Sequence, residues 1–248
     1  MHRLALRALE RAVGQRVQTV PWNGALPRRP HAPPYASSSD KETPPSIPNR
    51  ADILELAFIF AASNWIRGAY LEFGCHTGRT FHMAWEASRD VYPRSARDWL
   101  PHLWALDSFS GLPALTGSDT EHPRWSEGDF RMGQQEFRQA LQAAGVPAAD
   151  YTTVPGLYRE TLTPALAEQI GKAAVVYIDC DLYESTRDVL EWLPACLQQG
   201  TIVCMDDWNS FSASNKHGER LALSEADLML EPWWPYGWHG QSFIAHIA

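Results

Sequence analysis

The sequence predicts an α/β fold with a doubly wound, mostly parallel sheet, and two observations support this prediction. Two apolar runs, residues 173–178 and 203–205, each end abruptly in acids, and one predicted helix at 185–200 separates them. Uninterrupted apolar runs of this kind are typical of strands that are buried on both faces. Strands and helices also alternate along most of the chain, which favours parallel strand–helix–strand units. We therefore expect both acidic strand ends at one edge of the sheet, where open parallel sheets bind ligands.

The other elements follow in order from residue 49. Asn49 is suited to cap a helix with apolar positions at Ile53, Leu56, Phe60 and Trp65, before Gly68. Short apolar segments predict strands at 69–73, 103–106 and 151–154, and helical patterns lie at 80–92, 134–144 and, more weakly, 162–170. Residues 113–132 are predicted to be a loop region. Residues 209–229 mix loop and helix, and a hairpin-edge strand at 242–247 follows a tryptophan-rich turn.

Composition limits the classes of function. The chain has 248 residues, is 45% hydrophobic and carries a formal charge of −8, which argues against a nucleic-acid phosphate binder. No apolar run is long enough to span a bilayer. The cysteines lack the spacing of a zinc site and are expected to be reduced core thiols of a cytoplasmic protein. They are Cys75, Cys180, Cys196 and Cys204.

The first 48 residues differ in character from the rest. Residues 1–16 combine arginines with leucines and predict a short amphipathic helix that packs on the domain or on a partner subunit, in preference to an organelle-targeting helix. Residues 21–48 are rich in proline and form either an inert linker or a lid over the site. We therefore divide the chain into an arm, 1–48, and a globular domain, 49–248.

A glycine turn follows the first strand. Gly74 permits close ligand approach and Gly78 allows tight packing at the start of the next helix, while His76 stands where a dinucleotide-binding turn would have another glycine. Glu72 before the turn would repel phosphates and suits a cationic ligand, such as S-adenosylmethionine with its sulfonium and amino groups. The alternative is a tight turn beside a solvated Glu72.

The next strand ends in Asp107-Ser108, followed by Phe109-Ser110-Gly111-Leu112-Pro113. An acid at this place is suited to accept hydrogen bonds from two ribose hydroxyls. A lone Asp107 could equally cap a turn, but beside the glycine turn the ribose contact is the better interpretation.

Four acids end the two apolar strands described first. Asp179 and Asp181 lie two residues apart and therefore on one side of an extended strand, and Asp206-Asp207 ends the neighbouring strand. Carboxylates without thiolate ligands suit a hard cation, Mg²⁺ or else Ca²⁺ or Mn²⁺. A helix cap would explain one of these acids and leave the others unexplained.

These motifs, in this order, resemble the macrocin O-methyltransferase family. These enzymes depend on S-adenosylmethionine and Mg²⁺ and methylate sugar hydroxyls of antibiotics. The resemblance covers roughly residues 49–247. It rests on Glu72-Phe73-Gly74 with Gly78, Asp107 to Pro113, Val154-Pro155-Gly156 with Glu160-Thr161-Leu162, Ile178 to Thr186, and Asp206-Asp207.

The resemblance implies a seven-stranded Rossmann-like methyltransferase fold with an antiparallel C-terminal hairpin strand, a homo-oligomer and a small hydroxyl acceptor. It implies that Asp181 is the general base. The implied metal ligands are Asp179, Asp206 and Asp207. The expected cofactor-binding residues are Glu72, Gly74, His76, Gly78, Asp107, Ser108, Gly156 and Asp179.

Other functions remain open at this point. An aspartyl-nucleophile phosphatase or a metal-dependent glycosyltransferase also uses an Asp-x-Asp strand, and a catalytically silent binding protein would keep the same fold. His217 and His239 are further candidates for a base or a substrate contact. The tryptophan-rich segment 233–238 is a candidate sugar platform, although such residues more often close a core edge. Trp125, Phe130, Trp208 and Trp233 are expected to line the pocket.

Overall fold

The structure is a computed structural model that describes residues 47–92, 98–122 and 125–247. The expected amphipathic helix and residues 21–46 of the proline-rich arm lie outside the described residues, so the division at residue 48 stays a prediction. Within the described ranges, no helix has both the length and the apolar character that a bilayer span requires.

Helices and strands alternate along the described chain. The first half contains α1 (Arg50–Ser63), β1 (Ala69–Phe73), α2 (Arg79–Val91), β2 (Leu103–Asp107), α3 (Gln134–Ala143) and β3 (Tyr151–Pro155). The second half contains α4 (Tyr158–Thr161), α5 (Pro164–Ile170), β4 (Ala173–Ile178), α6 (Tyr183–Trp192), β5 (Ile202–Met205), α7 (Gly218–Glu225), β6 (Met229–Tyr236) and β7 (Gly240–His246). Short 3₁₀ turns lie at Gly117–Glu121, Ala148–Asp150 and Leu193–Ala195. A short turn lies at Ser210–Ala213, in which Phe211, Ser212 and Ala213 have left-handed backbone conformations.

The strands form one sheet in the order β3-β2-β1-β4-β5-β7-β6. The first five in this order are parallel, and β7 pairs antiparallel with both β5 and β6. The predicted doubly wound, mostly parallel seven-stranded sheet with an antiparallel C-terminal hairpin is therefore confirmed. The chain leaves β1 towards β2 on one side and returns to β4 on the other. The carboxyl ends of β1 and β4 thus form the switch point where such sheets bind ligands.

The start of α1 is fixed by a capping box. The Asn49 side chain accepts hydrogen bonds from the backbone N–H groups of Ala51 and Asp52, and the Asp52 carboxylate accepts one from the Asn49 N–H. These contacts satisfy donors that a helix start otherwise leaves without partners. The predicted cap at Asn49 is confirmed, and it holds the first turn of α1 in a defined position.

The core consists of two apolar layers, one on each face of the sheet. All residues of β1 and β4 are buried, as expected for strands covered by helices on both sides. The four cysteines also lie buried as free thiols, in agreement with the sequence prediction. Burial of each large aliphatic side chain stabilises the fold by about 1.5–3 kcal/mol.

Two elements differ from the sequence predictions. The helix expected to reach residue 200 ends at Trp192, because Pro194 lacks the N–H that would continue the helical hydrogen bonds and lies in a 3₁₀ turn instead. The tryptophan-rich segment expected to be a turn is the edge strand β6. Its two prolines, Pro232 and Pro235, are tolerated at a sheet edge, and the register shifts between them.

Candidate active site

A cleft of about 450 Å³ lies at the carboxyl ends of the parallel strands. This volume is within the usual range for small-molecule sites. Most of the site residues predicted from the sequence line the cleft, although Glu72, Gly78 and Asp206 do not. The predicted residues that do line it are Gly74, His76, Asp107, Ser108, Gly156, Asp179, Asp181 and Asp207.

The turn after β1 requires its two glycines. Gly74 has φ +84°, and a Cβ at this position would lie 1.9 Å from the backbone oxygen of Asp179. Gly78 caps α2 with φ +75°, and a Cβ there would meet the ring of Phe137 at 3.0 Å. The turn can therefore lie directly against β4 and α3 only because both side chains are absent. His76 has φ +39°, and its side chain lies at the exposed mouth of the cleft.

Asp107 holds this turn in place from the end of β2. Its Oδ2 accepts hydrogen bonds from the N–H groups of Cys75 (2.7 Å) and His76 (3.1 Å), and its Oδ1 accepts one from the Phe109 N–H (2.6 Å). A carboxylate has about four lone-pair sites, so Asp107 keeps acceptor capacity towards the cleft. The expected ribose contact stays a prediction, and the structure adds a role as a brace between two loops.

Ser108 and Gly156 shape the adjoining part of the cleft. The Ser108 hydroxyl donates to the Gly111 carbonyl (2.8 Å) and accepts from the Ser110 N–H (3.1 Å), which closes the turn after β2. Gly156 follows β3 with φ +134°, and its N–H donates to the Asp107 carbonyl (3.0 Å). Both residues are thus positioned by backbone contacts and leave room in the cleft.

Glu72 is fully buried in β1. Its Oε2 accepts a hydrogen bond from the Tyr70 hydroxyl, and its buried Oε1 has no hydrogen-bond partner among the described residues. Burial raises the pKa of Glu72 to about 8, with further contributions from Asp107 and Asp206. Its contact with a cofactor stays a prediction, and the structure shows a carboxyl group that is enclosed by the protein.

Three acids converge at the ends of β4 and β5. Asp179, Asp181 and Asp207 each offer a carboxylate oxygen, and these oxygens lie within 4.8 Å of one another. Asp181 adopts a left-handed backbone conformation with φ +61°, which aspartate tolerates better than most residues. The buried Oδ2 of Asp207 has no hydrogen-bond partner among the described residues. An all-oxygen donor set with such an unsatisfied atom fits a hard divalent cation.

The electrostatics of the cluster agree with this fit. Burial is the main cause that raises the pKa values of Asp179, Asp181 and Asp207 above the ordinary value, and repulsion among the neighbouring carboxylates raises them further. A divalent cation would offset this repulsion. It would also displace the protons that the group otherwise holds.

Asp206, predicted as a third ligand, has other partners in the structure. Arg50 approaches it with both Nε and Nη2, the former 2.9 Å from Oδ1, and the Tyr177 hydroxyl also donates to Oδ1. The ion pair with Asp206 raises the pKa of Arg50. Arg50 and Tyr177 were not among the site residues predicted from the sequence, because Arg50 lies 156 positions from Asp206 and no local pattern links them.

Two acidic residues near the site, Asp119 and Glu219, were also not predicted from the sequence. Asp119, in the loop after β2, accepts hydrogen bonds from the Tyr183 N–H (2.7 Å) and the Glu184 N–H (3.2 Å) at the start of α6. This contact joins the loop to the helix that follows Asp181. Glu219 on α7 is 1% exposed, and neither of its carboxylate oxygens has a hydrogen-bond partner among the described residues. Burial, followed by the charge of Asp207, raises the pKa of Glu219.

The histidine candidates occupy different places. His217 lies within hydrogen-bond distance of Glu121 (Nε2–Oε2 2.8 Å) and stacks on Phe211, so it connects two loops. His239 lies exposed in the β6–β7 turn. Neither histidine lines the cleft.

Of the four aromatic residues expected in the pocket, Phe130 lines the cleft. Trp208 packs on Phe243, Trp233 packs on Phe60, and Trp125 stacks on His122. These contacts are between protein side chains, and the sugar platform at 233–238 stays a prediction. Trp238 is 95% exposed at the tip of the β6–β7 turn.

Comparison with known proteins gives a consistent result. Residues 49–221 match the model of the macrocin-O-methyltransferase (TylF) family. The chain is 30% identical over 134 residues to the 8-demethyl-8-(2,3-dimethoxy-alpha-L-rhamnosyl)-tetracenomycin-C 4'-O-methyltransferase of Streptomyces olivaceus, over 50% of each chain. It is 27% identical over 119 residues to the mycinamicin III 3''-O-methyltransferase of Micromonospora griseorubida, over 43% of each chain. The chain thus matches half the length of these curated relatives or less.

Solved structures share the fold. The O-methyltransferase NovP superposes with a TM-score of 0.63 over 80% of each chain, at 21% identity. The calicheamicin methyltransferase CalS11 superposes with a TM-score of 0.59 over 78% of this chain and 76% of its own, at 26% identity.

Proposed function

This chain belongs to the macrocin-O-methyltransferase family, and from that premise we propose that it transfers a methyl group from S-adenosylmethionine to a hydroxyl group. The observation that carries the proposal is that one cleft contains both a place for the methyl donor and a cluster of acids. A glycine turn braced by Asp107 forms one half, and the acids Asp179, Asp181 and Asp207 form the other. The phosphatase and glycosyltransferase alternatives have no support from this family membership.

The glycine turn, Asp107 and Gly156 are proposed to hold the methyl donor. Because Gly74 and Gly78 have no side chain, the donor can lie against the backbone at the start of α2. We propose that Asp107 uses its remaining acceptor capacity for the ribose hydroxyls, with His76, Ser108 and Gly156 beside it. Glu72 precedes the turn in β1 and is fully buried, and its contact with the methionine part of the donor is also proposed.

Asp179, Asp206 and Asp207 are proposed to hold a divalent cation, Mg²⁺ by preference, beside the acceptor. When bound there, such a cation would supply Lewis-acid polarisation of an acceptor hydroxyl and so favour loss of its proton. Asp181 lies within reach of the same point and is proposed to remove the hydroxyl proton as general base. Holding the hydroxyl oxygen and the methyl donor in one cleft supplies much of the rate acceleration through proximity.

We propose a sugar of a natural product as the acceptor. Two similar proteins support this class of acceptor. The name of the Streptomyces olivaceus relative contains a rhamnosyl group. A solved structure with 25% identity and a TM-score of 0.51 is described as a TDP-rhamnose 3'-O-methyltransferase. The homo-oligomeric state and the cytoplasmic location stay predictions.

The test measures methyl transfer from labelled S-adenosylmethionine to a panel of glycosylated acceptors, with and without Mg²⁺. We expect transfer that depends on Mg²⁺ and falls at least a thousandfold in Asp181→Asn, while S-adenosylhomocysteine affinity stays within about threefold. The matched control is Asp227→Asn, an exposed aspartate near the start of β6, which should retain full turnover.

Turnover close to that of the unaltered protein in Asp181→Asn would show that the base is another group. Full activity in excess chelator would remove the cation from the proposal. A thermal shift with a nucleotide sugar but none with S-adenosylhomocysteine would support a glycosyltransferase instead.

A further inference from the structure

Arg50 places a guanidinium group beside the acids at the ends of β4 and β5. It is the first residue of α1, and it lines the cleft together with Asp179 and Asp207. Its guanidinium makes a two-point contact with Asp206, which is the geometry that arginine and carboxylate favour. Because the capping box fixes the first turn of α1, the Arg50 side chain starts from a defined point.

Asp206 lies beside Asp179 across two paired strands. Ile178 of β4 is in register with Met205 of β5, so Asp179 and Asp206 follow as the next neighbours beyond the strand ends. After burial, the charge of Asp206 is the largest cause of the raised pKa values of Asp179 and Asp207. Asp206 therefore lies next to the strand end where the other acids converge, and its oxygens are held by Arg50 and Tyr177.

The two partners of this ion pair differ in exposure. The Arg50 side chain is 45% exposed and the Asp206 side chain 6%. Arginine can thus leave the pair for water without burying its charge, whereas Asp206 stays at the site. The Tyr177 hydroxyl, which donates to one oxygen of Asp206, remains as a partner when Arg50 has moved.

We propose that Arg50 sets the divalent-cation affinity of the site by holding Asp206 in the cation-free protein and releasing it when a cation binds. This inference rests on the proposed function, because it assigns Asp206 to the cation site. Arg50 contacts both carboxylate oxygens of Asp206, so it must give up at least one of them before a divalent cation can bind there, and repulsion between the two cations favours its departure. Cation binding and release of Arg50 are therefore one coupled step, and Arg50 is a positioning residue, since it acts through Asp206.

The experiment measures Mn²⁺ affinity of the full chain by electron paramagnetic resonance of free Mn²⁺, a readout that needs no turnover. The variants are Arg50→Met, Asp206→Asn and the double variant. We expect Arg50→Met to bind Mn²⁺ at least tenfold more tightly than the unaltered protein, and Asp206→Asn to bind at least tenfold more weakly. In the Asp206→Asn background, Arg50→Met should change the affinity less than twofold, because the group that Arg50 holds is gone.

Two further variants serve as controls for the loss of charge and for the loss of the two-point contact. Arg67→Met also removes one arginine charge, but just before β1, away from the strand ends that carry the acids. Arg67 lies over the Trp99 ring (3.7 Å). This variant should leave Mn²⁺ affinity unchanged. Arg50→Lys keeps the charge but loses the two-point contact, so its affinity should lie between those of the unaltered protein and Arg50→Met. This variant also provides a test if Arg50→Met does not fold.

Equal affinities of Arg50→Met and the unaltered protein would overturn the inference. A tenfold gain from Arg50→Met both alone and in combination with Asp206→Asn would also overturn it, since Arg50 would then act only as a distant charge. Absence of Mn²⁺ binding in every variant would contradict the proposed cation site as well. S-adenosylhomocysteine binding, measured by calorimetry on the same samples, tests the methyl-donor half of the proposed function independently.

Discussion

Substitution of Glu72 by glutamine gives a direct test of the electrostatics behind the glycine turn. The pKa of the Glu72 carboxyl group is raised from 4.5 to about 8 by burial. Below pH 4.5 the group is protonated in both the folded and the unfolded protein, and it has no effect on the pH dependence of stability. Between pH 4.5 and 8 the unfolded chain releases the proton while the folded protein retains it, so the free energy of unfolding falls as the pH rises.

The size of this effect follows from the two pKa values. Each pH unit between them lowers the free energy of unfolding by about 1.4 kcal/mol, which gives on the order of 3 kcal/mol at pH 7 and about 5 kcal/mol above pH 8. Glutamine has nearly the shape of the protonated carboxyl group and can still accept the hydrogen bond from Tyr70. Glu72→Gln should therefore match the unaltered protein at pH 4.5 and become progressively more stable than it up to pH 8.

The assay is urea unfolding of the ligand-free protein at a series of pH values from about 4.5 to about 8.5, which brackets the two pKa values. The exposed Glu168→Gln is the control, and it should stay within about 0.5 kcal/mol of the unaltered protein throughout. A Glu72→Gln variant that is less stable than the unaltered protein at pH 8 would refute the reasoning. That result would mean that Glu72 is ionised and favourably paired in the folded state.

Further predictions concern the cleft and its supports. Asp107→Ala removes the brace of the glycine turn and should weaken S-adenosylhomocysteine binding at least tenfold in calorimetry. Asp119→Ala leaves two N–H groups at the start of α6 without their carboxylate partner and should lower the urea-unfolding free energy by about 1–3 kcal/mol. Gly74→Ala places a methyl group against the Asp179 carbonyl and should abolish S-adenosylhomocysteine binding, with a lowered melting temperature. Mg²⁺ binding should release protons, because the pKa values of the clustered acids are raised and these acids therefore stay protonated at a higher pH than ordinary carboxyl groups. Calorimetry in buffers of different ionisation enthalpy measures that release.

The strands and their acidic ends can be predicted because the signals are local. An apolar run followed by an acid predicts both a buried strand and the place where it ends, so the prediction that the acids after β4 and β5 lie at one edge of the sheet is confirmed. The helix cap at Asn49 is predictable for the same reason, since a cap depends on residues within one turn. The glycine turn is local as well, because positive φ angles at Gly74 and Gly78 follow from a tight strand–helix connection.

The contacts that distinguish the site are non-local and leave no such pattern. Nothing in the sequence around Arg50 shows that it reaches Asp206, and nothing in the loop around Asp119 shows that it binds the start of α6. The burial of a single side chain is equally hard to predict from local sequence. The sequence predicts Glu72 as a cofactor contact, whereas in the structure it is fully buried and accepts a hydrogen bond from Tyr70. The tryptophan-rich strand β6 is missed because its prolines argue against a strand everywhere except at a sheet edge, and edge position is a property of the whole sheet.

The central claim is that a divalent cation binds between the ends of β4 and β5, next to a methyl donor on the glycine turn. A crystal structure with S-adenosylhomocysteine and Mn²⁺, in which anomalous scattering locates the metal, tests this claim most directly. We expect a metal peak coordinated by Asp179, Asp206 and Asp207, with the sulfur of S-adenosylhomocysteine in the same cleft and Arg50 turned away from Asp206. Clear density for S-adenosylhomocysteine elsewhere on the protein, or a metal peak remote from these three carboxylates, would contradict it.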